Sequence, residues 1–203
     1  MRENLDRKLW KASTTFCGVD EVGLGALAGP VVAAAVILRP GTRIRGADDS
    51  KKLTPLRRKA IDALVRQRCL SWSVGAAGHH FIDRHNVLNA AHYAMRLAVR
   101  RLAIRPDLVL VDGRSIPGLD IACTGVVGGD ARSLSIACAS IIAKVYRDRL
   151  MIHMAERYCG YGFDHHKGYG TAEHLDAMSR LGTSPIHRRS FEPVRQCTPD
   201  VSA

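Results

Sequence analysis

The longest apolar stretch, residues 26–38, constrains this chain more than any other feature. It spans 13 residues and carries Pro30, whereas a membrane-crossing helix needs about 18 or more apolar residues. From Pro30 onward the run VVAAAVIL is unbroken and rich in Val and Ala, the pattern of a strand. Residues 15–22 read as an earlier strand, and Gly23, Gly25 and Gly29 punctuate a tight connection between the two. Residues 39–49 read as loop. Thr54 followed by Pro55 makes an N-cap and first-turn pair that opens a basic helix to about Arg68. Residues 69–77 read as a third strand. Leu88, Ala91, Met95, Ala98 and Leu102 recur at helical spacing, so 86–103 is expected to be an amphipathic helix.

Farther along, residues 108–111 form a short buried strand ending at Asp112-Gly113. Residues 133–157 read as a helix that is apolar nearly all round until Lys144, hence a central packed helix. A last helix covers 171–181, followed by a basic tail. Neighbouring strands first, then strands alternating with helices, argue for a mixed sheet flanked by helices.

At 203 residues the chain is long enough for one domain with a full hydrophobic core. A hydrophobic content of 46% with 24% charged residues excludes disordered and collagen-like chains. Residues 1–11 are charged throughout and lead into no apolar segment, so no secretory signal is expected. None of the six cysteines forms a CxxC pair or a zinc-type spacing with histidine. They read as free thiols in a reducing compartment, which places the chain in the cytoplasm. The histidine pairs His79-His80 and His165-His166 match no HExxH metal motif.

The formal net charge is +11, and residues 39–105 alone hold fifteen basic and four acidic side chains. The following segment, 106–130, holds one basic and four acidic. A basic block beside an acidic one suggests a polyanion held next to a cation site, although charge alone equally describes a solvated helix face.

The acidic residues carry the chemistry. Asp20-Glu21 ends the first strand, Asp112 ends a buried one, and Asp130 follows Gly128-Gly129 just before the central helix. Taken singly, Asp112-Gly113 could be a plain turn and Asp130 a helix cap. Together, carboxylates from distant segments persist at one place mainly when divalent cations neutralise them. Two such ions about 4 Å apart can activate a water and stabilise the departing oxygen in phosphodiester cleavage. Asp20 and Glu21 point to opposite faces of a regular strand, so one must reach the site through a bend, where Gly23 would help.

Residues 23–28, GLGALA, also fit the dinucleotide pattern G-x-G-x-x-A. That pattern should open a helix, whereas here a strand follows, and the preceding carboxylates would repel a pyrophosphate. The glycines more plausibly let backbone groups approach a sugar or phosphate closely.

The stretches GVDEVGLGALAGPVVAAAVIL, DSKKLT, VDG, GGDARSLSIACASIIAKVYRDR, FDHHKGYGT and SPIHRRSFEPV resemble, in order and over about residues 17–195, bacterial ribonuclease HII, the type 2 ribonuclease H. The resemblance implies an α/β, ribonuclease H-like fold: a mixed five-stranded sheet flanked by helices, with a small helical C-terminal extension. The whole of 1–203 would form one domain, with a core at about 15–157 and the helical part at about 158–195. It implies an endonuclease that uses Mn²⁺ or Mg²⁺ to cut the RNA strand of RNA–DNA hybrids. It further implies incision 5′ of ribonucleotides embedded in duplex DNA, leaving 5′-phosphate and 3′-hydroxyl ends.

By position, the family's metal-binding carboxylates fall on Asp20, Glu21, Asp112 and Asp130, with Asp20 bridging both ions. The Gly-Arg-Gly element that senses the 2′-hydroxyl falls on Gly23, Leu24 and Gly25, and the sugar-packing tyrosine on Tyr169. Leu24 replaces the usual arginine, Ala26 a common proline, and Arg132 stands where lysine is frequent. Backbone contacts at 23–25 would survive, but a guanidinium contact to phosphate is lost. Lys51, Lys52, Arg188 and Arg189 are read as grips on the phosphate backbone, which position a duplex rather than read its bases. A monomer is expected. A type 3 ribonuclease H cutting only longer hybrids, or a non-catalytic basic nucleic-acid-binding protein, are the alternatives.

Overall fold

The protein is described from a computed structural model, over residues 5–47 and 53–197. Its strands are β1 (Phe16–Val22), β2 (Val31–Leu38), β3 (Cys69–Ala77), β4 (Leu108–Asp112) and β5 (Ala122–Val126). They form one sheet in the order β3-β2-β1-β4-β5. β1 pairs antiparallel with β2 and parallel with β4, so the sheet is mixed, as expected. The strand that pattern-reading missed is β5. It alternates exposed and half-buried residues at the sheet edge and contains Thr124 and Gly125, so no apolar run announces it.

Helices cover both faces. α4 (Val87–Arg100) packs on the face that carries Cys17, Val19, Ala33, Val109 and Val111. Its buried stripe is Ala90, Ala91, Ala94, Met95, Ala98 and Val99. Leu88, expected on that stripe, is 55% exposed in the helix's first turn. On the opposite face lie α2 (Pro55–Arg68) and the central helix α6 (Leu134–Arg157). The Thr54 side chain caps α2 by accepting from the Arg57 amide, as its Thr-Pro start predicts. Ser133 caps α6 in the same way, accepting from the Ile136 amide.

The N-terminal helix α1 (Leu5–Lys11) carries a buried Asp6 whose Oδ2 accepts from the amide and hydroxyl of Ser135, so it docks on the start of α6. α3 (His79–His85) precedes α4, and the short α5 (Gly129–Arg132) precedes α6. Beyond α6 come α7 (Phe163–His166), α8 (Ala172–Leu181) and α9 (Glu192–Gln196). The expected basic tail after 181 is instead packed chain: Ser184, Ile186, His187, Arg188 and Val194 are buried. Its local sequence is polar, and the burial comes from contacts with the connection between β1 and β2. The six cysteines are free, with Cys17, Cys69 and Cys138 buried and Cys159 exposed. No helix among the described residues is long and apolar enough to cross a membrane.

Candidate active site

The site begins with a register. β1 and β4 run parallel, and the last aligned pair is Val19 with Val111. The next residues on each strand are Asp20 and Asp112, so the two carboxylates leave the sheet side by side at its C-terminal edge. Both continue the α6 face, because Gly18 and Leu110, two residues earlier on each strand, pack against Ser135 and Ile136. Asp20 is buried, and its Oδ1 accepts from the Glu21 amide at 2.8 Å. Burial above all, and then the Glu21 and Asp112 charges, raise its carboxyl to about 8, while hydrogen bonds from Ser140 of α6 and from the Glu21 amide work in the opposite direction. On Asp112, Oδ1 accepts from the Gly129 amide at 2.7 Å.

Glu21 starts from the other face. Its partner on β2 is Ala33, which faces α4, while Asp20 is paired with Ala34, which faces α6. The pairing stays regular through Val22, so the chain turns at Gly23, where φ is +96°, only after Glu21, and a contact of Glu21 with the Asp20 side of the sheet depends on the length of its own side chain. Glu21 acts on Asp20 through its charge and donates its main-chain N–H to the Asp20 carboxylate. Asp130 stands one residue from the Gly129–Asp112 hydrogen bond, at the edge of an open cleft of about 590 Å³ shared with Arg7, Trp10, Arg43, Arg45 and Arg132. Asp20 and Asp112 do not line that cleft. Among the described residues, no three His, Cys, Asp or Glu side chains already form a cage of metal-binding dimensions. The structure thus gathers Asp20, Glu21 and Asp112 into one electrostatic neighbourhood, with Asp130 adjacent through the main chain.

The donor chemistry still fits a hard divalent cation. The acceptors are all carboxylate oxygens, and burying Asp20 among like charges is unfavourable until a positive charge joins them.

Beside the carboxylates, the connection from Gly23 to Pro30 lies against the C-terminal segment. Ala26 makes an antiparallel bridge with Tyr169, and Ala28 another with His187. Tyr169, half-buried, therefore sits next to Gly23–Gly25, with Arg147 and Lys144 of α6 against its ring at 5.3 and 5.7 Å. The Leu24 side chain is exposed.

Arg188 departs from expectation. Rather than gripping phosphate from the surface, it is fully buried, and its guanidinium donates to the carbonyls of Gly23 (2.7 Å), Leu24 (2.8 Å) and Gly29 (3.0 Å). Three main-chain oxygens turned inward replace the water that a surface arginine would keep. Arg147, which sequence reading did not single out, donates likewise to Ala28, Pro30 and Lys167. Its only sequence signal is a position on the apolar central helix. Arg189 is exposed, and its main-chain N–H donates to Asp83 of α3. Lys51 and Lys52 lie outside the described residues.

Residues 17–194 match the family described as Ribonuclease HII. The chain belongs to the ribonuclease HII family. It is 54% identical to the ribonuclease HII of Geobacter sulfurreducens over 182 residues, covering 90% of this chain and 84% of that protein. Against the ribonuclease HII of Moorella thermoacetica it is 53% identical over 177 residues, 87% of this chain and 86% of that one. The crystal structure of ribonuclease H2 from Pyrococcus horikoshii superposes with a TM-score of 0.76 at 25% identity, covering 90% of this chain and 96% of that chain. As a ribonuclease HII family member this chain is a metal-dependent ribonuclease H, a hydrolase of nucleic acid with a ribonuclease H-like fold.

Proposed function

We propose that this chain hydrolyses the RNA strand of RNA–DNA hybrids and incises duplex DNA 5′ of single embedded ribonucleotides, leaving 5′-phosphate and 3′-hydroxyl ends. The observation that carries the reading is the buried Asp20 carboxylate at the end of β1, level with Asp112 on the neighbouring strand and next to Glu21. Asp20, Glu21, Asp112 and Asp130 are the residues that would hold Mn²⁺ or Mg²⁺. A bound divalent cation supplies the positive charge that activates a water and stabilises the departing 3′-oxygen.

The remaining roles belong to the chain itself. Gly129 orients Asp112 by donating its amide, and Ser140 orients Asp20. The backbone of Gly23, Leu24 and Gly25 contacts the ribose, and the Tyr169 ring packs against the neighbouring sugar. Arg189, Lys51 and Lys52 contact phosphates, and these contacts favour any duplex regardless of base order. A monomer acting in the cytoplasm completes the reading.

The test is digestion of an end-labelled DNA duplex carrying one ribonucleotide, with product ends mapped in Mn²⁺, Mg²⁺ or EDTA. A metal-dependent cut on the 5′ side of the ribonucleotide is expected. Cutting of long hybrids alone would move the chain to type 3 chemistry, and binding without any cut would leave a basic nucleic-acid-binding protein.

A further inference from the structure

Two arginines buried without an ion pair among the described residues need a reason to be there. Burial, and then the neighbouring Arg147 charge, pull the Arg188 guanidinium down to about 9. What the pair does make is six hydrogen bonds to main-chain carbonyls, five of them in the connection between β1 and β2. A peptide unit is planar and trans, so its N–H points opposite to its C=O. Arg188 draws the Gly23 and Leu24 carbonyls inward, and the same two peptide planes therefore aim the Leu24 and Gly25 amides outward. Neither amide donates to any described residue.

The glycines agree with this arrangement. Gly23, at φ +96°, has no room for a Cβ, which would meet Arg147 Nε at 2.3 Å. Gly25 is different. Its φ lies outside the left-handed region, and a Cβ there would meet no atom of a described residue within 4 Å. No described residue requires glycine at 25, so the open space over its exposed amide is room for something from outside.

We propose that Arg188, braced by Arg147, is the positioning residue for ribonucleotide selection: it orients the Leu24 and Gly25 amides as a donor pair for a sugar hydroxyl. The inference rests on residues 23–25 being the ribose-contacting loop. It also locates selectivity in backbone geometry set from beneath, with no role for the side chain at 24.

The experiment measures equilibrium binding of the full chain, in EDTA, to a duplex with one ribonucleotide and to the same duplex in all-DNA form. Wild type is expected to prefer the first. Arg188→Lys keeps a charge but cannot serve three carbonyls in a fork. It is expected to lose about tenfold of that preference, while all-DNA affinity stays within about twofold. Preference kept intact, or both affinities falling together, overturns the proposal. A wild type that neither prefers nor cleaves the ribonucleotide duplex overturns the reading of the site, and this inference with it. If circular dichroism shows Arg188→Lys unfolded, ¹⁵N spectra of wild type decide. The Leu24 and Gly25 amides should shift with the ribonucleotide duplex and not with its all-DNA twin, and equal shifts with both refute the assignment.

Discussion

Gly18 lies directly beneath Ile136: a Cβ on Gly18 would stand 2.2 Å from the Ile136 amide nitrogen. β1 and α6 thus touch backbone to backbone, two residues before Asp20 on the same face. Because both atoms belong to regular elements, neither can yield locally. Gly18→Ala should destabilise the fold by about 1–3 kcal/mol or more, seen as a lower urea midpoint with unchanged slope. It should also lower activity, since β1 carries Asp20. Full stability in the variant would mean that α6 is seated less closely than described.

Asp20→Asn and Asp112→Asn remove charge from the acidic group while keeping shape and acceptors. Charge stabilisation by a bound cation is worth several kcal/mol in the transition state, so kcat should fall by about a hundredfold or more. Binding of an RNA–DNA hybrid should persist, because the basic surface is untouched. Excess chelator should stop wild-type turnover, and restored Mn²⁺ or Mg²⁺ should return it. Full activity in either variant would remove these residues from the site.

Leu24 points its side chain outward while its carbonyl is held by Arg188. An arginine can therefore be placed there without disturbing the loop. A charge-assisted hydrogen bond to phosphate is worth about 1.5–3 kcal/mol, so Leu24→Arg should raise kcat/KM on a single-ribonucleotide duplex by about tenfold or more. Comparison of the two proteins at one salt concentration checks this, and an unchanged or lower rate contradicts it.

These outcomes separate what is written locally from what is not. β2 and α4 were legible because an unbroken apolar run and a helical period each span many residues, and Asp20 and Asp112 because charges seldom end buried strands. The opposite facing of Asp20 and Glu21 followed from strand parity alone. β5 was hidden because its stability comes from pairing with β4, and α5 and α7, four residues each, because nothing periodic fits in one turn. Arg188 was misread for a deeper reason. In a polar, basic segment an arginine looks solvated, and its burial is set by carbonyls up to 165 residues away.

A last prediction concerns acid. Ser184 donates its amide to His187 Nδ1, so His187 carries its proton on Nε2 and donates it to His174 Nε2 at 3.0 Å. His174 in turn donates from Nδ1 to the Tyr169 carbonyl. The bonds from the Ser184 amide to His187 and from His187 to His174 each need an unprotonated acceptor nitrogen, and burial lowers each ring to about 4. Unfolded histidine takes its proton near 6.5. Between 6.5 and 4 the unfolded state binds more protons than the native one, so lowering pH favours unfolding. The stability is complete above 6.5 and is lost on descent toward 4, by up to about 1.4 kcal/mol per pH unit for each ring. Urea melts at pH 7 and pH 5 measure the loss, and His174→Gln, which cannot titrate, should lose less over the same interval. Equal losses in the two proteins would show that these rings are not the groups taking up protons.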